Sequence, residues 1–209
     1  MNCQVKSFAM KSISLGCALL ALALLTAGFE KPRQQEKSSG LKDATILIIR
    51  HAEKPESGTG LTSMGEQRAK AYVRYFKTFT IDSKPLNLDS LFAAADSEKS
   101  HRPRLTLEPL SKALGLKIND RFKAKQFQEL ARAIQAGDLG KHILICWHHG
   151  AVPELLKAFG ADPAQLLPDA NWPDPQFGWV IQLRYDQEGV LIPSASKRID
   201  ENLILEDSK

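Results

Sequence analysis

Cysteine is scarce in this sequence, with three among 209 residues: Cys3, Cys17 and Cys146. Two of them fall within the first 29 residues, which leaves Cys146 alone in the rest of the chain. One thiol cannot close an intrachain disulfide, so the fold must be held by its apolar core. Cys146 lies inside the run HILICW and reads as a buried, inert thiol rather than a nucleophile. A dominant charge is also lacking. The formal charge is +4, and Lys6 and Lys11 supply half of it, leaving two charges for residues 30–209. Basic residues alternate with acids along that stretch, which excludes a nucleic-acid footprint. There is no internal repeat. No cysteine or histidine spacing typical of zinc ligands occurs, so neither a metal site nor a cofactor is expected.

The one long uncharged run is SISLGCALLALALLTAGF, residues 12–29. Lys6 and Lys11 precede it and small residues close it, the pattern of a secretory signal. Its length is also near the lower limit for a membrane-spanning helix, so a retained anchor is the other reading. Residues 1–29 are thus expected to direct export, to the periplasm or the medium, or to attach the protein to a membrane. Residues 30–43, EKPRQQEKSSGLKD, are polar and aperiodic and read as a linker. Residues 44–209 are long enough for one substantial core, and nothing in their length calls for a second.

Along that domain, strands alternate with helices. Thr45–Ile49 is a continuous apolar run, as expected for a strand covered on both faces. Thr62 or Ser63 caps a helix whose Ala69, Tyr72, Val73 and Phe76 fall on one face. A strand over Leu88–Ala95 and a helix over Leu105–Leu114 follow, the helix stopping at Gly115. Phe127–Ala136 is helical, His142–Trp147 is a third buried strand, and residues 152–159 form a helix. Residues 161–176 hold four prolines and read as a loop. Phe177–Tyr185 and Val190–Ser196 read as a hairpin at a sheet edge. The pattern predicts a three-layer α/β/α sandwich, its sheet mostly parallel with an antiparallel edge hairpin.

Ligands of open α/β sheets bind beyond the carboxyl ends of the strands. Collecting those ends here gives Arg50 and His51, then Arg102 at the start of the next helix, then His148 and His149. Guanidinium groups grip phosphate oxygens through paired hydrogen bonds. Histidine is a competent nucleophile near neutral pH because its neutral form is well populated there. Phosphoryl transfer asks mostly for positive charge on the equatorial oxygens and an in-line nucleophile.

The segment Ile49-Arg50-His51-Ala52-Glu53, followed by Gly60-Leu61-Thr62-Ser63-Met64-Gly65 and Ala69, resembles the opening of the histidine phosphatase superfamily, the phosphoglycerate mutase-like proteins. Arg102-Pro103-Arg104-Leu105-Thr106 is similar to the family's second arginine motif, with proline where alanine is usual. His149-Gly150 matches its late histidine. The resemblance runs over about residues 44–160. It implies that His51 becomes phosphorylated, that Arg50, Arg102 and His149 hold the phosphoryl oxygens, and that His148 stands at the substrate rim. The family's general acid has no counterpart: Ala124 and Gly150 stand where it is found in different branches. Glu53 and Glu98 are the nearest candidates, with Asp96 and Asp120 behind them.

The expectation is therefore an exported phosphomonoester hydrolase that needs no metal and works through a phosphohistidine on a phosphorylated small molecule or macromolecule. The alternative is a non-catalytic module that binds a phosphorylated glycan, lipid or peptide, motivated by the missing acid.

Overall fold

In the computed structural model, Met1 and residues 39–137 and 139–204 are described. The leader and most of the linker lie outside the described residues. Glu36–Lys209 form one compact unit.

Strand β1 (Thr45–Arg50) is buried along its whole length and lies inside a six-stranded sheet. On one side it pairs in parallel with β6 (His142–Trp147), with Arg50 opposite Trp147. On the other it pairs antiparallel with β7 (Trp179–Arg184). Beyond β6 come β4 (Ser90–Ala93) and β5 (Ile118–Asn119), both parallel. β8 (Lys197–Asp200) closes the opposite edge beside β7, antiparallel. A separate two-stranded hairpin joins β2 (Thr80–Ile81) to β3 (Lys84–Pro85).

Both faces of the sheet are covered, which is why β1 reads as an unbroken apolar run. Leu47 and Ile49 face one core with Tyr72 and Phe76 of α1 (Ser63–Lys77) and Leu107 and Leu110 of α2 (Arg102–Leu114). Ile46 and Ile48 face the other core, with Leu130 and Ile134 of α3 (Phe127–Ala136) and Leu155 and Leu156 of α4 (Val152–Ala158). Cys146 is buried in the first of these cores, and burial pushes its thiol well up, as expected of an inert residue.

Several elements depart from the sequence reading. The second hairpin strand was expected at Val190–Ser196 but forms at Lys197–Asp200. Pro193 lacks an N–H and starts a 3-10 turn, Pro193–Ala195, so only an isolated bridge, Tyr185 to Leu191, precedes β8. Within the Pro-rich loop a one-turn helix, α5 (Pro163–Leu166), is capped by the Asp162 carboxylate, which accepts from the Ala164 N–H at 3.0 Å. The strand read over Leu88–Ala95 is confined to β4, and the short strands β2, β3 and β5 carry too few residues for a periodicity.

Because β1, β4 and β6 are parallel, their carboxyl ends share one rim. The His51 N–H donates to the Trp147 carbonyl at 3.0 Å, and the Ala94 N–H to that of Cys146 at 3.1 Å. These bonds carry the ladder past the strand ends and fix where the polar residues emerge.

Candidate active site

The backbone around His51 is braced from two directions. Thr62 caps α1 by accepting from the Gly65 N–H at 3.0 Å, and its own N–H donates to the Glu53 carbonyl at 3.0 Å. The Ala52 N–H donates to Thr106 Oγ1 at 2.9 Å, and that hydroxyl donates to the Arg102 carbonyl at 2.8 Å. One threonine thus joins the residue after His51 to the first turn of α2, where Arg102 stands.

His51 is almost fully buried. Its Nδ1 lies 2.7 Å from the Ala52 carbonyl. A carbonyl can only accept, so Nδ1 carries the hydrogen and Nε2 is left with a lone pair. Burial first, then the nearby His148, Arg50 and Arg102, hold the imidazole's pKa down to about 3; the Ala52 bond offsets this only in part. His51 is therefore neutral near pH 7. The His148 ring meets it edge-on at 5.2 Å between centroids. Burial and the charge of Arg102 push His148 down to about 4.

Arg50 is fully buried. Its Nη1 donates toward the carbonyls of Pro173 at 3.3 Å and Gln176 at 3.0 Å, and also to that of Asp174. Its Nη2 donates to Asp174 Oδ1 at 2.9 Å, and the Phe177 ring covers the guanidinium at 3.9 Å. Arg102 donates to the Gly58 carbonyl at 3.2 Å. Desolvation lowers the pKa of both arginines, in Arg50 against the pull of Asp174. Arg104, two residues on, is engaged with Asp96 and Glu108. His149 Nε2 lies 3.4 Å from Asp174 Oδ1, and burial lowers its pKa ahead of the charge of Arg50.

His51, His148, Arg50 and Arg102 thus act on one another electrostatically, and His149 joins Arg50 through Asp174. Neither acid candidate is hydrogen-bonded to this group, though the charge of Glu53 reaches Arg50. Glu53 Oε1 accepts from Arg68 Nε at 2.9 Å and Nη2 at 2.7 Å. Glu98 is exposed in the turn after β4, with no hydrogen bond or ion pair into the site. The other two histidines, His101 and His142, are both half-buried, and His142 Nδ1 lies 2.8 Å from the Asn87 carbonyl. Trp172 packs in the core beside Trp179, at 5.5 Å between centroids.

The sequence reading missed Asp174. Its Oδ1 meets Arg50, His149 and Lys54, the last at 3.1 Å. Its position in WPDPQ, over a hundred residues from Arg50, gives no local signal of that contact. The bond of Lys54, ahead of that of Arg50, holds its carboxyl below the usual range.

Among the described residues, the buried side-chain nitrogens left without a hydrogen-bond partner are Arg50 Nε, Arg102 Nε and His149 Nδ1. All three belong to the residues assigned from sequence to hold a phosphoryl group. The two arginine Nε–H groups are donors in any state, and buried donors without a partner call for a ligand rich in acceptors.

No family model matches the chain, and no curated protein matches it. Solved structures do. A phosphoglycerate mutase from Bacillus anthracis str. Sterne superposes with a TM-score of 0.51 at 11% identity, over 81% of this chain and 99% of the other. The protein histidine phosphatase SixA, complexed with tungstate, superposes with a TM-score of 0.50 at 14% identity, over 75% and 97%. At these identities the likeness is one of fold. The chain has a phosphoglycerate mutase-like α/β fold.

Proposed function

We propose that the protein is a phosphatase in which His51 is the nucleophile. The observation that carries this reading is the set of unmet buried nitrogens on Arg50, Arg102 and His149, beside a neutral His51 with its Nε2 lone pair free. Arg50 and Arg102 would donate to the phosphoryl oxygens. His149, whose Nε2 faces Asp174, would offer Nδ1–H to the same oxygens once a bound phosphoryl anion draws a proton onto the ring; burial and Arg50 lower its pKa against the pull of Asp174.

His51 Nε2 attacks phosphorus as the bond to the leaving oxygen breaks in line. Phosphorylation makes the imidazole cationic, and its Nδ1–H then bonds more strongly to the Ala52 carbonyl. Water attacks the phosphohistidine, releases phosphate and restores the neutral ring. The two arginines supply the positive charge of the site, so we propose turnover without a metal. The substrate is a phosphomonoester, small or on a macromolecule. The leader pattern of residues 1–29 supports export as a further part of this proposal.

The test is hydrolysis of p-nitrophenyl phosphate by the purified protein with and without EDTA, beside His51→Ala. EDTA-resistant turnover that the substitution abolishes, with a base-stable, acid-labile phosphoenzyme in the parent, is the expected result. Tungstate binding without turnover would replace this reading with that of a phosphate-binding module.

A further inference from the structure

Resting on that reading, one requirement has no residue assigned to it: the proton for the leaving oxygen. An alkoxide cannot depart from phosphorus readily without one, and a positioned acid accelerates such steps about 10²–10⁴-fold. The carboxylates suggested by sequence are engaged elsewhere or face away. Glu53 is tied to the buried Arg68 guanidinium through both Nε and Nη2. Asp96 is paired with Arg104 at 2.8 Å. Asp120 lines a groove beside β4 and β5, with Leu91, Phe92 and Leu116.

Asp174 is placed differently. Its Oδ1 is 2.9 Å from Arg50 Nη2, 3.4 Å from His149 Nε2 and 3.1 Å from Lys54 Nζ, so it touches two of the groups assigned to the phosphoryl oxygens. Among the described residues no other carboxylate is hydrogen-bonded or ion-paired to Arg50, Arg102 or His149. The segment carrying it is held in place. Arg50 Nη1 binds the carbonyls of Pro173, Asp174 and Gln176, Phe177 stacks on the same guanidinium, and Trp172 Nε1 donates to the Gln176 carbonyl at 2.8 Å. The Asp174 side chain is 58% exposed, so water can exchange protons with it.

We infer that Asp174 is the acid that protonates the leaving oxygen, and then the base for the water that opens the phosphohistidine. In the empty site Arg50, Lys54 and His149 face the carboxylate and keep it ionised. The proton arrives with the substrate. A monoanionic ester, RO–PO₃H⁻, meets the carboxylate and passes its proton across, giving a dianionic ester held by the arginines and a neutral Asp174 with no change in total charge. As His51 Nε2 bonds to phosphorus and the P–OR bond breaks, the proton moves from Asp174 to the leaving oxygen and ROH departs. Water then attacks the phosphohistidine and gives a proton to the Asp174 carboxylate, which returns it to the departing phosphate. No co-reactant beyond water is needed.

The experiment uses the full-length protein and Asp174→Asn, whose side chain is exposed and nearly isosteric, so the fold is preserved. Two substrates are compared, glycerol 2-phosphate and p-nitrophenyl phosphate; the second releases a phenolate stable enough to leave unprotonated. The expected result is a fall of about 100-fold in the ratio of kcat/KM on the alkyl ester to that on the aryl ester. An unchanged ratio overturns the inference. So does a rise in kcat/KM on both esters with tighter tungstate inhibition, which would make Asp174 only an internal anion competing for the site. If the parent forms no phosphohistidine, the phosphatase reading falls and this inference with it. A labelled His51 with an unchanged ratio removes this inference alone.

Discussion

Thr106→Val replaces a hydroxyl with a methyl of nearly the same size at a fully buried position. It opens no cavity, and both residues are β-branched, so the helix of α2 is little affected. It removes the acceptor for the Ala52 N–H, 2.9 Å away, the donor to the Arg102 carbonyl, 2.8 Å away, and a contact that the Cys146 thiol makes with the same hydroxyl. Ala52 is itself fully buried, so its N–H would have no water to turn to. A buried amide left unsatisfied costs about 1–3 kcal/mol. The change should also reach His51, since the Ala52 carbonyl holds Nδ1, and a tilted residue 52 would mis-aim Nε2. Misplacement of a reacting atom by a fraction of an ångström lowers the rate steeply, and about tenfold in kcat with little change in KM is expected. Urea unfolding followed by tryptophan fluorescence gives the stability, and p-nitrophenyl phosphate turnover gives the rate. Thr106→Ser keeps the acceptor and loses one methyl, so it should lose about 1 kcal/mol and retain most of the activity. A valine variant unfolding at the parent's midpoint, or a serine variant as slow as the valine one, would refute the reasoning.

Gly65→Ala would place a Cβ 2.7 Å from the Glu53 carbonyl oxygen and 3.0 Å from its nitrogen, and backbone cannot swing aside as a side-chain tip can. A stability loss of about 1–3 kcal/mol is expected in the same urea assay. Arg68→Met would strand the carboxylates of Glu53 and Glu201, both of which the guanidinium binds. Breaking a buried ion pair on one side costs about 3–5 kcal/mol, to be read in the same urea assay. Stability of the parent should fall as pH drops from about 6.5 towards 4. His51 and His148 have folded pKa values held below the unfolded one, so in that window the unfolded state binds more protons and is favoured. Thermal melts across that range check it; a melting temperature flat from pH 7 to 4.5 would mean that the two rings are hydrated in solution.

How much of this was legible in the sequence depended on distance along the chain. The apolar runs TILIIR and HILICW announce strands buried on both faces, and strand ends that empty into Arg50, His51, His148 and His149 announce a shared rim, because parallel strands must end together. Thr62 as a cap, with the glycine at residue 65, is likewise a local fact. The motif that runs from Arg102 to Thr106 has a structural cause: Thr106 reaches back one turn to the Arg102 carbonyl while bonding Ala52. The second hairpin strand was misplaced at Pro193, whose missing N–H keeps Val190–Ser196 from pairing as a strand.

The acid question shows where sequence reasoning reaches its limit. Glu53 stands two residues from His51, and nearness made it the first candidate, yet nearness in sequence says nothing of what a carboxylate touches. The partner of Glu53 is Arg68, fifteen residues on, and Arg68 in turn binds Glu201 from beyond β8. That pairing makes Glu53 a brace between α1 and the loop after β1. Asp174 lies in a segment with no periodicity and four prolines nearby, which reads as a connector. Only when β7 docks against β1 is the chain before it laid across the rim, setting Asp174 on Arg50 and His149. A carboxylate's part in such a site is decided by which cation it meets, and here the sheet order decides it.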